Sequence, residues 1–422
     1  MTDGNVDTAN GAQAFLLELG RMLSLAGTAV SETQERLATI AAANGIDDTR
    51  IIVLPTALMI ATGPTAQTTI DAIPQSTGAL RLDQISALYE VVKLAESGHL
   101  NPAEGMARLR AVRCMRPRFG YVATVLAHLV MTVGLCLILQ PTPLDVAVAA
   151  VFGAIVGSLI PLARLPGTPG VLTPMVCASI VSALTFIAVE HGFAGPGMGT
   201  LVAALTTFLP GGILATATVE LASGEMVAGA SRLVFGGLRL VLLAFGIVAG
   251  AELVGLPGVE ALSDGSTSTL GWWAPWLGVI LFGLAVGVFF SAPRGTMKWL
   301  LVVLLTAWLG QVVGDLLFGA SVSGFFGAMA MTPVALAVAR LPGGPPSQVT
   351  FLPAFWLLVP GAIGLIGVTE LLSNPAGAGV EVLIEPLASI VAITLGVLCG
   401  VSAYRGVDSA LSGRRARFLL RP

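Results

Sequence analysis

Residues 207–223 read TFLPGGILATATVELAS, and residues 357–373 read LLVPGAIGLIGVTELLS. Pro210-Gly211 falls on Pro360-Gly361, Glu220-Leu221 on Glu370-Leu371 and Ser223 on Ser373, at a constant offset of 150 residues. The register continues to Ala228-Gly229 against Ala378-Gly379 and to Leu233 against Leu383. A Pro-Gly pair inside an apolar segment interrupts the helical ladder, because proline has no N–H to donate and its ring crowds the carbonyl one turn back. Two such breaks at corresponding places in two halves of a chain point to the binding region of a secondary transporter.

Composition agrees. Of 422 residues, 55 % are hydrophobic and 11 % charged, against about 25 % charged in soluble domains. The charges are concentrated: residues 1–118 hold ten of the 21 Lys/Arg and twelve of the 24 Asp/Glu. This predicts a soluble N-terminal domain followed by a membrane domain. The four cysteines, Cys114, Cys136, Cys177 and Cys399, have no paired spacing, so neither a disulfide framework nor a metal site is expected, and no cofactor. The start MTDGNVDTAN lacks the basic n-region of a signal peptide.

Residues 1–10 read as a flexible terminus and 11–118 as a cytoplasmic α/β domain. Phe15, Leu19, Met22, Leu23 and Ala26 follow the helical period, and Gly27 ends that helix. Ser31 and Gln34 form a capping box for a second helix, which stops at Asn44-Gly45. Residues 50–54, 57–62 and 66–73 read as strands punctuated by Pro55, Gly63-Pro64 and Pro74. A helix at 83–97 follows, and Asn101-Pro102 with Glu104 opens another. The domain contains one histidine, His99, and no phosphate-binding glycine loop. It reads as a regulatory or vestibule-forming domain.

Ten apolar segments are long enough to span a bilayer, near 119–140, 145–162, 170–190, 198–221, 235–256, 272–291, 298–318, 321–339, 351–372 and 382–404. They form two five-helix repeats, 119–257 and 272–404, joined by an external loop at 258–271, with a basic tail at 405–422. With both termini cytoplasmic, every Lys/Arg falls on the inner side. An odd number of spans per repeat inverts the second half. The expected fold is therefore an α-helical polytopic membrane protein, ten helices in a 5+5 inverted repeat, with a small α/β N-terminal soluble domain. Thr173-Pro174 against Thr332-Pro333 is a weaker trace, outside the register. Small-xxx-small pairs at Gly153/Gly157, Gly246/Gly250, Gly283/Gly287 and Gly396/Gly400 read as helix packing.

The polar residues within the spans are the candidate site. At each break a half-helix begins, and its first amides carry the positive end of the helix dipole. Pro210, Gly211, Gly212, Pro360 and Gly361, with Thr207, outline a site for the carboxylate of a small amino acid; the carbonyls before each break suit its ammonium group. Arg239 either meets substrate or snorkels to the inner surface. Asp315 lies inside span seven one turn from Gln311; an acid at depth is expensive unless paired or facing a cavity, so it is the leading proton-coupling group. His128, mid-way along span one, either takes part in that coupling or bonds a neighbouring helix. Glu220 and Glu370 lie ten residues past each proline, about 15 Å along a helix. They are expected as gate or rim acids, or as interfacial carboxylates paired with Arg232 or solvent.

Several stretches together resemble the threonine/serine exporter family: LLELGRMLSLAGTAVSETQERLATIAAANGI (16–46), LPTALMIATG (54–63), SGHLNPAEGMARL (97–109), FLPGG (208–212) with ELASGEMVAGASRL (220–233), and LLVPGA (357–362). The resemblance covers nearly the whole chain. It implies export of threonine and serine across the cytoplasmic (inner) membrane, driven by the proton motive force, with no enzymatic activity. The expected partners are a small amino acid, protons and the lipid bilayer, with homo-oligomers possible and no nucleic acid. Related two-subunit members are associated with dicarboxylate export, so an exporter of C4-dicarboxylates such as succinate is the alternative substrate reading, with Arg239 as its extra cationic anchor. A membrane-anchored hydrolase acting through residues 1–118 is the alternative of another class, but no nucleophile-base pair is found there. A channel would need no proton coupling. No ATP-binding motif is present.

Overall fold

The computed structural model describes residues 3–46, 48–62, 67–73, 79–139, 142–161, 170, 172–191, 197–255, 270–358, 360–373 and 384–419. Among them the Ala378-Gly379 and Leu383 positions of the repeat are missing, as is most of the 258–271 loop. The chain divides into two compact units. One contains Met1–Arg118, Thr216–Phe235 and Phe290–Pro293, and the other contains Phe119–Ala215, Gly236–Phe289 and Arg294–Pro422.

The first unit begins with α1 (Asp3–Leu25), α2 (Val30–Ala43), β1 (Arg50–Val53), β2 (Ala57–Thr62), β3 (Gln67–Ala72), α3 (Leu82–Glu96) and α4 (Pro102–Arg113). α1 starts well before residue 11, within the stretch expected to be flexible. The strands form an antiparallel sheet in the order β1-β2-β3. Ile51 pairs with Ile60 and Val53 with Leu58, and all four are buried, so the period-2 pattern puts one face of the hairpin on the core. α1 covers that core with Phe15, Leu16, Leu19, Met22 and Leu23. Gly20 is required there, because a Cβ would stand 2.5 Å from the Leu58 side chain and 2.9 Å from that of Leu37. Asn101 caps α4 as its spacing predicts, accepting from Ala103 N–H at 3.0 Å. Tyr89 meets Thr28 Oγ1 at 3.2 Å and the Arg36 guanidinium over its ring at 5.2 Å. Burial first, then the nearby Glu32 carboxylate, pushes its phenol well above the ordinary value.

The start of α2 departs from expectation. The helix begins at Val30 with Ala29 as N-cap and no side-chain cap, so Ser31 and Gln34 lie inside its first turns. The Val30 N–H instead donates to Glu220 Oε1 at 3.1 Å. A carboxylate on a helix N-terminus meets both an amide without an intrahelical acceptor and the positive end of the dipole.

Glu220 belongs to α9 (Gly211–Ala222), which is followed by α10 (Met226–Val254). Gly224, with φ +85°, turns the chain between them in a conformation that other L-residues rarely adopt. Gly229 then lets α10 close on α9: a Cβ there would stand 2.7 Å from the Ala217 carbonyl. The fully buried Glu220 completes this hairpin through an ion pair with Arg232, Nε to Oε2 3.0 Å. The motif ELASGEMVAGASRL is therefore a tight helical hairpin whose acid also caps α2. Phe290 O accepts from Leu82 N–H at 3.0 Å, and Ala292 O accepts from Arg118.

The second unit contains α5 (Tyr121–Ile138), α6 (Pro143–Leu159), α7 (Thr173–Glu190), α8 (Met198–Ala204), α11 (Ala274–Phe289), α12 (Met297–Phe318), α13 (Ala320–Arg340), α14 (Ser347–Leu357), α15 (Pro360–Ser373) and α16 (Ile384–Leu419), with the adjoining parts of α9 and α10. Helices or helix pairs occupy all ten apolar segments. Six helices are long and apolar enough to cross a membrane among the described residues, or seven when α8 and α9 count as one bent span. α6 and α11 are shorter apolar helices. The protein is a largely helical, multi-pass membrane protein. α16 continues as helix through most of the stretch expected as a basic tail.

Glycine seams join these helices. A Cβ at Gly246 would stand 2.5 Å from Met175 O and 2.8 Å from Ala178 Cβ; one at Gly250, 2.5 Å from Ser179 O and 2.7 Å from Ser182 Cβ. α10 thus lies backbone to backbone on α7. α16 meets α13 likewise: Gly396 faces Phe325 O and Ala328, and Gly400 faces Met329 O and Thr332. Gly283 faces Leu300, Leu301 and Leu304 of α12. Pro174 lies in the first turn of α7, whereas Pro333 lies inside α13. The Thr-Pro dipeptides therefore occupy different positions in their helices.

Two outcomes follow. Gly246→Val forces α10 from α7 and lowers stability by about 1–3 kcal/mol, whereas Gly237→Ala, in open space on the same helix, lowers it by little or nothing; melting of the detergent-solubilised protein separates them. Glu220→Ala removes the acceptor of Val30 N–H and the counter-charge of Arg232 and costs about 3–5 kcal/mol. Glu220→Gln, which keeps an oxygen for Val30 but leaves Arg232 uncompensated, melts between it and the wild type.

Candidate functional site

The candidate site is built around the first broken span. α8 ends at Ala204, a short 3-10 turn covers Thr206–Phe208, and α9 starts at Gly211; the two halves are bent by 63°. Pro210 causes the break, since it has no N–H to donate into the turn before it. The first intrahelical bond of α9 runs from Leu214 N–H to Pro210 O at 2.9 Å, so the amides of Gly211 and Gly212 precede the helix's own ladder. The second expected break also falls between helices: α14 ends at Leu357, and α15 opens at Pro360 and Gly361.

The structure brings the two breaks together. Trp356, in the last turn of α14, places its Nε1 3.3 Å from where a Gly212 Cβ would stand. α15 packs on α8. The glycine at 212 therefore makes room for the indole of the other broken span.

His128 reaches the first break from α5. It is fully buried. Its Nδ1 lies 2.8 Å from Gly153 O, and its Nε2 lies 3.2 Å from Thr207 Oγ1, within the 3-10 turn. A carbonyl can only accept, so Nδ1 carries the hydrogen; Nε2 accepts from the Thr207 hydroxyl when the ring is neutral and donates to it when the ring is charged. Gly153 and Gly157 make space for this: Cβ atoms there would stand 2.8 Å from Thr132 Oγ1 and 2.9 Å from His128 Cβ. His128 and Thr207, expected in different roles, are thus one hydrogen-bonded pair.

The other candidates lie elsewhere. Asp315 is exposed in the last turn of α12, where its carbonyl accepts from Gly319 N–H. Gln311, on the same helix, packs its stem against Gly327 of α13, beside Leu358; its Oε1 is buried with no hydrogen-bond partner. Among the described residues, neither side chain hydrogen-bonds to His128 or Thr207. Arg239 is half-buried on α10. The two repeated glutamates differ in environment: Glu370 is exposed on α15, whereas Glu220 is sealed inside the first unit. Its carboxylate accepts from Val30 N–H of α2 and pairs with Arg232, the partner that the alternative reading gave it.

Sequence reasoning passed over Asp145. Its side chain is 4 % exposed and accepts from Thr142 at the start of α6 and from Gly197 and Thr200 at the start of α8. The signal was present: Thr142-Pro143-Leu144-Asp145 has capping-box spacing with proline at the first helical position.

As a whole the arrangement places a half-helix start, an imidazole and a hydroxyl at one backbone break. This suits binding and proton exchange. No curated protein and no solved structure matches the chain. The model of the threonine/serine exporter family matches residues 14–254, from α1 through the broken span to the end of α10. That match covers more than half of the residues, and the chain belongs to the threonine/serine exporter family, a family of membrane transporters and not of enzymes.

Proposed function

We propose that the protein exports threonine and serine across the cytoplasmic membrane in exchange for protons. We assign it ten spans in a 5+5 inverted repeat, both termini cytoplasmic, with substrate between the broken fourth and ninth spans. The packing supports the repeat. Gly246 and Gly250 on α10 correspond at 150 residues to Gly396 and Gly400 on α16, and their contacts Met175, Ala178, Ser179 and Ser182 correspond at the same offset to Phe325, Ala328, Met329 and Thr332. Thr332 thus takes Ser182 as its counterpart and not Thr173.

The observation that carries the mechanism is the His128–Thr207 pair at the first break. It takes the coupling role in place of Asp315, which is exposed near the end of its helix. With His128 neutral, the Thr207 hydroxyl donates to Nε2 and its oxygen keeps a lone pair for the substrate ammonium group. The substrate carboxylate takes the positive end of the α9 dipole, at the Gly211 amide. When His128 gains a proton, Nε2–H donates to the Thr207 oxygen and the hydroxyl rotates away. The new charge then opposes the ammonium group. Proton and amino acid exclude each other at one place, which is the requirement for exchange. Both protonation states keep the bond to Gly153 O, so the backbone need not rearrange.

In proteoliposomes with an imposed pH gradient, the wild type accumulates threonine against its own gradient. His128→Gln, which keeps hydrogen bonds but cannot titrate, brings the steady-state ratio to unity while threonine/threonine exchange continues; Thr207→Val, which removes the oxygen offered to the ammonium group, lowers accumulation and exchange together. Accumulation that survives in His128→Gln overturns its role. A wild type that moves no threonine overturns the function.

A further inference from the structure

The two oxygens of Asp145 are used for different things. Oδ2 serves its own helix, accepting from Thr142 N–H at 2.8 Å and from Thr142 Oγ1–H at 2.7 Å. Oδ1 serves α8, accepting from Gly197 N–H at 3.1 Å and from Thr200 Oγ1–H at 3.2 Å. Hydrogen bonds to a carboxylate are charge-assisted, and a buried one left without partners is strongly disfavoured. Beyond Thr200, residues 201–205 of this seven-residue helix and the turn after it are apolar and fully buried. The bonds to Oδ1 are thus directional contacts on an element otherwise packed by non-directional ones.

The other broken span shows no equivalent among the described residues. Thr200 corresponds at 150 residues to Thr350, whose hydroxyl turns back to Ser347 O of its own helix at 3.2 Å. Asp145 corresponds to Gly295. A charge holds α8, and none occupies the matching place for α14.

We infer that Asp145 is a positioning residue that latches α8, the outer half of the first broken span, shut against α6, and that outward release of substrate requires its bonds to Gly197 and Thr200 to break. The outward direction rests on the orientation proposed above. The latch itself does not depend on which substrate is carried.

The chain contains its own reporter. Cys136 on α5 is 1 % exposed, with its Sγ 3.9 Å from Thr200 Oγ1; movement of α8 uncovers it. In a chain with Cys136 as its only cysteine (Cys114→Ser, Cys177→Ala, Cys399→Ala), a membrane-impermeant maleimide added outside intact cells reads the opening. Asp145→Asn and Thr200→Val each raise the labelling rate of Cys136 roughly tenfold or more, the factor expected from losing a hydrogen bond to a charged group. Thr142→Val, which alters only the α6 side, leaves the wild-type rate. All variants must elute as one symmetric species on size exclusion, so that unfolding is not mistaken for opening. Equal labelling of wild type, Asp145→Asn and Thr200→Val overturns the latch, as does a Thr142→Val rate as fast as that of Thr200→Val. Acceleration by a permeant maleimide alone upholds the latch and overturns the outward orientation of α8.

Discussion

The break at Pro210 is the constraint on which the rest depends. In a bilayer, irregular backbone survives only where protein or a lined cavity satisfies its polar groups. Pro210 ends one half-helix and leaves the next to start inside an apolar segment. α8 is consequently enclosed by protein, the second broken span is brought against Gly212, and His128 and Thr207 are placed at the interruption. The proposed chemistry follows from this: a helix dipole can meet a carboxylate at this depth only because the ladder stops there.

Carboxylates then hold the ends of helices. Asp145 joins the starts of α6 and α8, and Glu220 joins the end of α9 to the start of α2 and to Arg232. Each satisfies amides that a helix terminus cannot satisfy itself. The packing between these fixed points is made by glycine. Gly246 with Gly250, and Gly396 with Gly400, bring backbones to distances that no side chain would permit, and Gly153 with Gly157 does so around an imidazole. Where a seam must be tight the chain has glycine, and where a terminus must be held it has an acid.

The break at Pro210, the strands and the Asn101 cap of α4 were legible because they rest on local rules. Proline removes an N–H wherever it stands, and alternation at Ile51 and Val53 needs only neighbouring residues. Even the small-residue pairs were legible as packing, though not their partners. The roles of the acids were hidden by distance. Glu220 caps an amide 190 residues away in the chain, which made Ser31 and Gln34 look like the cap of α2. Asp145 has a local capping box that could be read and a second bond spanning 52 residues that could not. His128 illustrates the same limit: a histidine in an apolar helix says little until Gly153 O and Thr207 Oγ1 are seen on its two nitrogens. Asp315 was read from its position in the span alone, which does not show that its side chain is exposed.

The account's central claim is that threonine and protons cross in opposite directions through one site. The most direct measurement is the lumenal pH of proteoliposomes, read with a trapped dye, when threonine is added outside with no pH gradient present. The account predicts that threonine entering down its gradient drives protons out, so the lumen becomes alkaline. Threonine entry with no change in lumenal pH would contradict it.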